Sequence, residues 1–361
     1  MIYLDNAAST KPSDAVLKTL NETLEIYGNP SSLHSEGQKA KNIIRDAKSK
    51  IIQRVGDGQI LFTSGATMSN CLFVQGYLRN CPNVAFITST VEHNDIILMA
   101  NYLLDTGRSV YFVPVDSEGF IDMDCLDDIA GTLDMCGIPF LCSIQAANGE
   151  CGTIQDVKTI AKTVHKYNGV FHSDITQYIP YYIPDDCFDA FSMSGQKIGC
   201  IKGTGVLYMK HGLDIQPIIF GEQGTIGGTE NVLGIACLGT AFEELKYEND
   251  SLRDKQKRLI EGLAPYGRLI GATDLKKRIP NNVYIAFDKY DFESLVVLLD
   301  GFGIEVSAGS ACSTDKPSHV VLAMGYDEKV AKSCVRFSLS NDTSDEDIEK
   351  AIITVREVLT L

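Results

Sequence analysis

The chain has 361 residues, a net charge of −15, 44% hydrophobic residues and 22% charged residues. That length suffices for a large domain plus a smaller one around a buried site. The acidity argues against a nucleic-acid groove or an anionic membrane surface as the partner. Met1 enters Ile2-Tyr3-Leu4-Asp5 with no signal-peptide pattern, and no apolar run reaches membrane-spanning length, so a cytoplasmic protein is expected.

In chain order, Gln59 to Thr63 reads as a strand, Ser64-Gly65-Ala66-Thr67 as a turn, and Met68 to Leu78 as an amphipathic helix. Further strands are expected at Val84 to Thr88, Val110 to Val115, Phe140 to Ile144, Val170 to Ser173, Phe188 to Ser192 and Gly205 to Met209. Helices fall between most of them, at Asn94 to Leu104, Met123 to Ile129 and Asp156 to Tyr167. This alternation predicts an α/β fold whose mainly parallel sheet is covered by helices on both faces. Thr229 to Tyr247 is expected to form one long helix. From about residue 250 the rhythm becomes that of a smaller α+β unit. Its strands are expected at Asn282 to Phe287 and Cys334 to Leu339, and its helices at Phe292 to Leu299 and Ser344 to Leu359. Eleven cysteines without regular spacing, in a chain with no secretory signal, read as reduced thiols, and no structural metal is assigned.

Chemistry concentrates at the predicted strand ends. Lys197 follows one strand and Asp174 ends the neighbouring one; a lysine and a buried carboxylate so placed are what a pyridoxal phosphate site requires. Taken alone, a lysine after a strand is more often a solvated surface residue. The turn at Ser64 to Thr67 can seat a phosphate at a helix N-terminus, or can be a plain cap. His93 can stack on a flat ring or move a proton, or can hydrogen-bond to backbone. Asn148 can donate to a phenolic oxygen or a carboxylate, or can simply make the Asn148-Gly149 turn. Cys312 lies among small residues, which keep a sulfur accessible, and Arg336 sits in a β-like alternation suited to a carboxylate fork.

Read together, these motifs resemble a cysteine desulfurase of the NifS/IscS-like kind, within the class V aminotransferase family of fold-type I pyridoxal phosphate enzymes. The resemblance runs from Tyr3-Leu4-Asp5-Asn6-Ala7-Ala8 and Gly28-Asn29-Pro30-Ser31-Ser32-Leu33-His34 through Thr63 to Thr67, Glu92-His93, Asn148 and Asp174-Ile175-Thr176-Gln177. It continues through Ser194-Gly195-Gln196-Lys197, Gly228-Thr229, Gly309-Ser310-Ala311-Cys312 and Arg336-Phe337-Ser338-Leu339. It implies a large cofactor domain over residues 16–250 with a mainly parallel seven-stranded sheet. Residues 1–15 and 251–361 would form a small α+β domain carrying the Cys312 loop and Arg336.

It further implies that Lys197 holds the cofactor and later carries a proton, Asp174 pairs with the ring nitrogen, Gln177 with the phenolic oxygen, and His93 stacks on the ring. Ala66, Thr67, Ser194 and Gln196 would hold the phosphate, with Thr229 arriving from the second subunit of a homodimer. Asn148 and Arg336 would grip the substrate, and Cys312 would take the sulfur of L-cysteine as a persulfide. An iron–sulfur scaffold, a tRNA-thiolating protein or a general thiol carrier would then accept it. A selenocysteine lyase or other β-lyase, or a weakly catalytic sulfur-transfer paralogue, shares this pattern.

The chain departs from the family at several points. Gln196 replaces a histidine, no arginine precedes Gly228-Thr229, and Met68 stands where the family has glutamate. The family's Asn-Glu pairing reads Asn148-Gly149-Glu150, and the loop from Cys312 to Pro317 is about two residues short.

Overall fold

The computed structural model describes residues 1–80, 83–184, 186–221, 226–309 and 316–360. The elements in chain order are β1 (Ile2–Tyr3), α1 (Asp14–Thr23), α2 (Ser35–Val55), β2 (Gln59–Thr63), α3 (Ala66–Asn80), β3 (Ala85–Ser89), α4 (Asn94–Asp105) and β4 (Val110–Val113). Then follow α5 (Met123–Met135), β5 (Phe140–Ser143), α6 (Val157–Lys166), β6 (Val170–Asp174), β7 (Ala190–Ser194), β8 (Gly205–Met209) and α7 (Val232–Glu244). The rest comprises α8 (Asp250–Leu263), β9 (Arg268–Leu269), β10 (Asn282–Ala286), α9 (Phe292–Gly301), β11 (Ile304–Glu305), α10 (His319–Ala323), α11 (Glu328–Ala331), β12 (Cys334–Ser338) and α12 (Asp345–Thr360).

Seven strands form the main sheet in the order β2-β8-β7-β6-β5-β3-β4. Only β8 runs against its neighbours; the remaining pairs are parallel. Strands β3, β5, β7 and β8 are buried along their whole length, as expected where helices cover both faces. In such a sheet ligands bind beyond the carboxyl ends of the strands. That edge carries Ser89, Asp174 and Ser194, and β8 contributes its first residue, Gly205, between Thr63 and Ser194.

A second core joins the start of the chain to its end. Ile2 and Leu4 pack with Leu252, Leu259, Val283, Leu295 and Val355, and β1 pairs in parallel with β11. The antiparallel sheet β12-β10-β9 lies in the same unit. Between the two cores a smaller cluster brings Val91 and Cys151 against Ile270, Tyr284 and Val320.

Some expected boundaries move. The long helix from Thr229 to Tyr247 spans only Val232–Glu244, because the Asn231 side chain caps it at Gly234 N (3.0 Å) and the chain turns extended at Leu245. The strand from Val110 stops at Val113, before Pro114, which has no N–H to give to a ladder. The strand from Phe188 is displaced to Ala190–Ser194. Helices α1, α2 and α8 lie outside the expected elements; α2 buries Gly37, Ala40, Ala47, Ile51 and Val55 along one face.

Candidate active site

A cavity of about 320 Å³ opens at the carboxyl edge of the sheet, within the size range of small-molecule sites. Ala66, Thr67, His93, Asn148, Asp174, Gln177, Ser194, Gln196, Lys197 and Arg336 all line it, although they come from six separate stretches of chain. Thr229 does not. It lies in a second groove with Pro30, Lys41, Arg45 and Gly203. Cys312 lies outside the described residues.

Asp174 ends β6 at the cavity floor. Its Oδ1 accepts from Thr176 N (2.9 Å) and its Oδ2 from Asn70 Nδ2 (2.9 Å). Burial first, and then the charge of Asp95, push its carboxyl above the usual range. The same Asn70 amide donates to Asp95 Oδ2 at 3.1 Å, and Asp95 Oδ1 lies 2.8 Å from His93 Nδ1. Burial opposes the Asp95 charge, but hydrogen bonds from His93, Asn70 and Thr67 together bring its carboxyl below the ordinary value. His93 is raised in turn, chiefly by the hydrogen bond to Asp95.

Next to His93, Glu92 is fully buried. Its carboxyl accepts from Ser89 and from Gln145 N, yet burial, which outweighs these bonds, and the nearby acids push it up to about 8. The Glu92 carbonyl accepts from His319 Nε2 at 2.9 Å, which draws the start of α10 to the cavity wall.

The first residues of the chain cross the opposite wall. Lys197 Nζ donates to Ala8 O (2.6 Å), Gln177 Nε2 to Ala7 O (2.9 Å) and Thr10 N to Gln196 O (2.8 Å). Arg336, only 4% exposed on β12, donates through Nη1 to Gly149 O and Gly309 O (both 2.7 Å) and through Nη2 to Asp5 Oδ1 (3.0 Å). The expected fork thus has a protein carboxylate as one partner. Asn148 is worked into its turn: Nδ2 donates to Val91 O, while Oδ1 accepts from Glu150 N and Cys151 N. That loop is fixed to the second unit by fully buried Arg278, which donates to Cys151 O, Ile270 O, Ala272 O and Asn282 Oδ1.

At the far end of the cavity Ala66 N, on the first residue of α3, donates to Ser194 Oγ (2.7 Å). A helix N-terminus beside a hydroxyl suits an anion. The turn before it is tightly seated: a Cβ on Gly205 would stand 2.6 Å from Gly65 Cα.

These residues fit pyridoxal phosphate. Asp174 is a buried carboxylate whose described hydrogen-bond partners are neutral donors, so a protonated ring nitrogen would complete it. Thr176 Oγ1, Gln196 Oε1 and Arg336 Nε are buried without a partner among the described residues, and all three belong to cavity-lining side chains. Lys197 supplies the amine. Sequence reasoning did not single out Asn70, Asp95 or His319; Asn70 and Asp95 look like ordinary helix residues until the sheet brings them to Asp174.

Residues 2–351 match the aminotransferase class-V family model. The cysteine desulfurase IscS of Dictyoglomus turgidum is 34% identical, over 99% of this chain and 94% of that protein. Cysteine desulfurase IscS 1 of Archaeoglobus fulgidus is 36% identical, over 98% and 95%. Among solved structures, a NifS-like protein superposes with a TM-score of 0.91 at 31% identity, covering 99% of both chains. The NifS-like protein of Rickettsia africae gives 0.88 at 28% identity, covering the whole of both.

Proposed function

The chain belongs to the aminotransferase class-V family, and from that premise we propose that it is a pyridoxal-phosphate-dependent cysteine desulfurase whose chemistry is carried by Lys197, Asp174, Arg336 and Cys312. The observation that carries this reading is the meeting of Lys197, Asp174 and Arg336 around one cavity with unpartnered polar atoms in its wall.

Pyridoxal phosphate supplies a carbonyl for the substrate amine and a ring that draws electrons from the substrate. Lys197 would hold it and, once released, move a proton at Nζ. Asp174 would meet the ring nitrogen, Gln177 the phenolic oxygen and His93 the ring face. Ala66, Thr67, Ser194 and Gln196 would bind the phosphate, with an amide at Gln196 instead of a cation. Arg336 would take the substrate carboxylate in competition with Asp5, and Asn148 has a second amide hydrogen to offer.

The Cys312 thiol would take the sulfur: L-cysteine and a thiol give L-alanine and an enzyme persulfide, with no other reactant. An acceptor protein would then receive the outer sulfur. An iron–sulfur scaffold or a tRNA-thiolation protein fits that role. Thr229, which does not line this cavity in its own chain, would complete the phosphate site of a second copy in a homodimer. No helix of the described residues is long and apolar enough to cross a membrane, which agrees with a cytoplasmic setting.

Incubation of the yellow holoprotein with L-cysteine and a thiol reductant should release alanine and sulfide in equal amounts. Cys312→Ala should lose sulfide release while cysteine still perturbs the visible band. A colourless protein lacking a borohydride-sensitive chromophore, or a Cys312→Ala variant with unchanged turnover, would overturn this mechanism.

A further inference from the structure

We propose that Asp95 and Asn70 are positioning residues of this active site, tying the ring-facing His93 to the nitrogen-facing Asp174 as one hydrogen-bonded unit; the inference rests on the reading above for the roles of His93 and Asp174. Asp95 Oδ1 stands 2.8 Å from His93 Nδ1, whereas the backbone N–H of Asp95 is 3.5 Å from the same nitrogen. The shorter contact, to a carboxylate, makes Nδ1–H the donor and leaves Nε2 as the ring nitrogen for the cavity. The His93 side chain is 55% exposed there, but Asp95 is only 8% exposed, so the contact is anchored on its buried side.

Asn70 then divides its two amide hydrogens between two acids: Asp95 Oδ2 at 3.1 Å and Asp174 Oδ2 at 2.9 Å. Two carboxylates on one nitrogen admit a single orientation of the amide. Its Oδ1 is left buried without a partner among the described residues. Ordinary core packing removes such an orphan acceptor, so this arrangement is not the cheapest way to fill the space. It does hold the plane and tautomer of His93 and the direction of the Asp174 carboxylate against each other.

The charged groups around the unit agree with this role. Asp95 and Asp174 both favour the charged imidazole, and Lys197 opposes it. Asp95 faces Thr67 and Cys71 of α3, and also Glu92 and His172; burial holds His172 neutral, at about 3.

The test uses the full-length protein with isotope-labelled histidine rings, with and without cofactor, His93→Gln assigning the resonance. Wild-type His93 should carry its proton on Nδ1 and titrate above the ordinary histidine range. Asp95→Asn should shift that midpoint down, and Asp95→Glu should restore part of the shift. In the holoprotein, Asn70→Ala should move the pH midpoint of the visible band while leaving the His93–Asp95 contact intact. An unchanged His93 midpoint in folded Asp95→Asn overturns the proposal; should that variant not fold, an unchanged visible-band profile in Asn70→Ala does so. A wild-type protein without a borohydride-sensitive chromophore would instead defeat the reading of the site, and the histidine resonances would still decide whether Asp95 holds His93.

Discussion

Glu92→Gln isolates the electrostatics of the buried shell around the cavity. The Glu92 carboxyl is fully buried, its described partners are Ser89 and Gln145 N, and the charged groups that act on it, Asp174 and Asp95, are both acids. Its folded value is raised from 4.5 to about 8. Folding therefore binds a proton, and the stability that goes with it is fully present below about 4.5 and lost as pH rises through about 8. Each pH unit inside that window is worth about 1.4 kcal/mol, so the loss from pH 5 to pH 8 is on the order of 4 kcal/mol. Glutamine has the shape of the protonated acid: its oxygen can accept from Gln145 N and its amide can donate to Ser89 Oγ. The variant should match wild type near pH 5 and exceed it progressively toward pH 8. His93 and Asp174 titrate in both proteins, so the difference between the two urea-unfolding free energies reports Glu92. Parallel stability profiles for the two proteins would refute the argument.

The other expectations concern recognition. Arg336→Lys keeps the charge but loses the planar fork that reaches Gly149 O, Gly309 O and Asp5. Loss of one charged hydrogen bond, about 1.5–3 kcal/mol, should lower kcat/KM for cysteine roughly 10- to 150-fold, with the visible spectrum of the resting enzyme retained. Gly205→Ala places a methyl group 2.6 Å from Gly65 Cα, where only backbone can yield. It should displace the turn before α3 and weaken cofactor binding about tenfold or more, measured by fluorescence titration of the cofactor-free protein. Unaltered binding in that variant would mean that the turn does not seat the phosphate.

Much of the sheet was legible because its strands carry apolar runs, such as Ala85-Phe86-Ile87 and Gly205–Met209, separated by helical periodicity. The residues at their ends were legible for the same reason, since a strand end fixes which edge a side chain occupies. That is how Lys197, Asp174 and His93 come to share one cavity. The antiparallel course of β8 was not readable, because a short buried strand carries no mark of its direction. Helix α8 buries Leu252, Gln256, Leu259 and Leu263 at helical spacing, a periodicity that the sequence itself carries. Asp95 and Asn70 belong to α4 and α3, and their meeting depends on how those helices pack, which local pattern does not encode. The Arg336–Asp5 pair joins residues 331 apart in sequence, beyond any periodicity.

That last separation bears on the order of biosynthesis. Asp5, Ala7 and Ala8 leave the ribosome first, but their partners Arg336, Gln177 and Lys197 come later, and the strand at Ile2 pairs with residue 304. The large sheet can form while the chain is still being made, since its seven strands end at Met209. The N-terminal segment finds Gln177, Gln196 and Lys197 on that early framework, but its partners Arg336 and β11 only later. A nascent chain halted before β12 would display Lys197 and Asp174 on a formed sheet edge, with Asp5 lacking its counter-ion. Synthesis of β12, and not formation of the sheet, is then the event that closes the substrate end of the site.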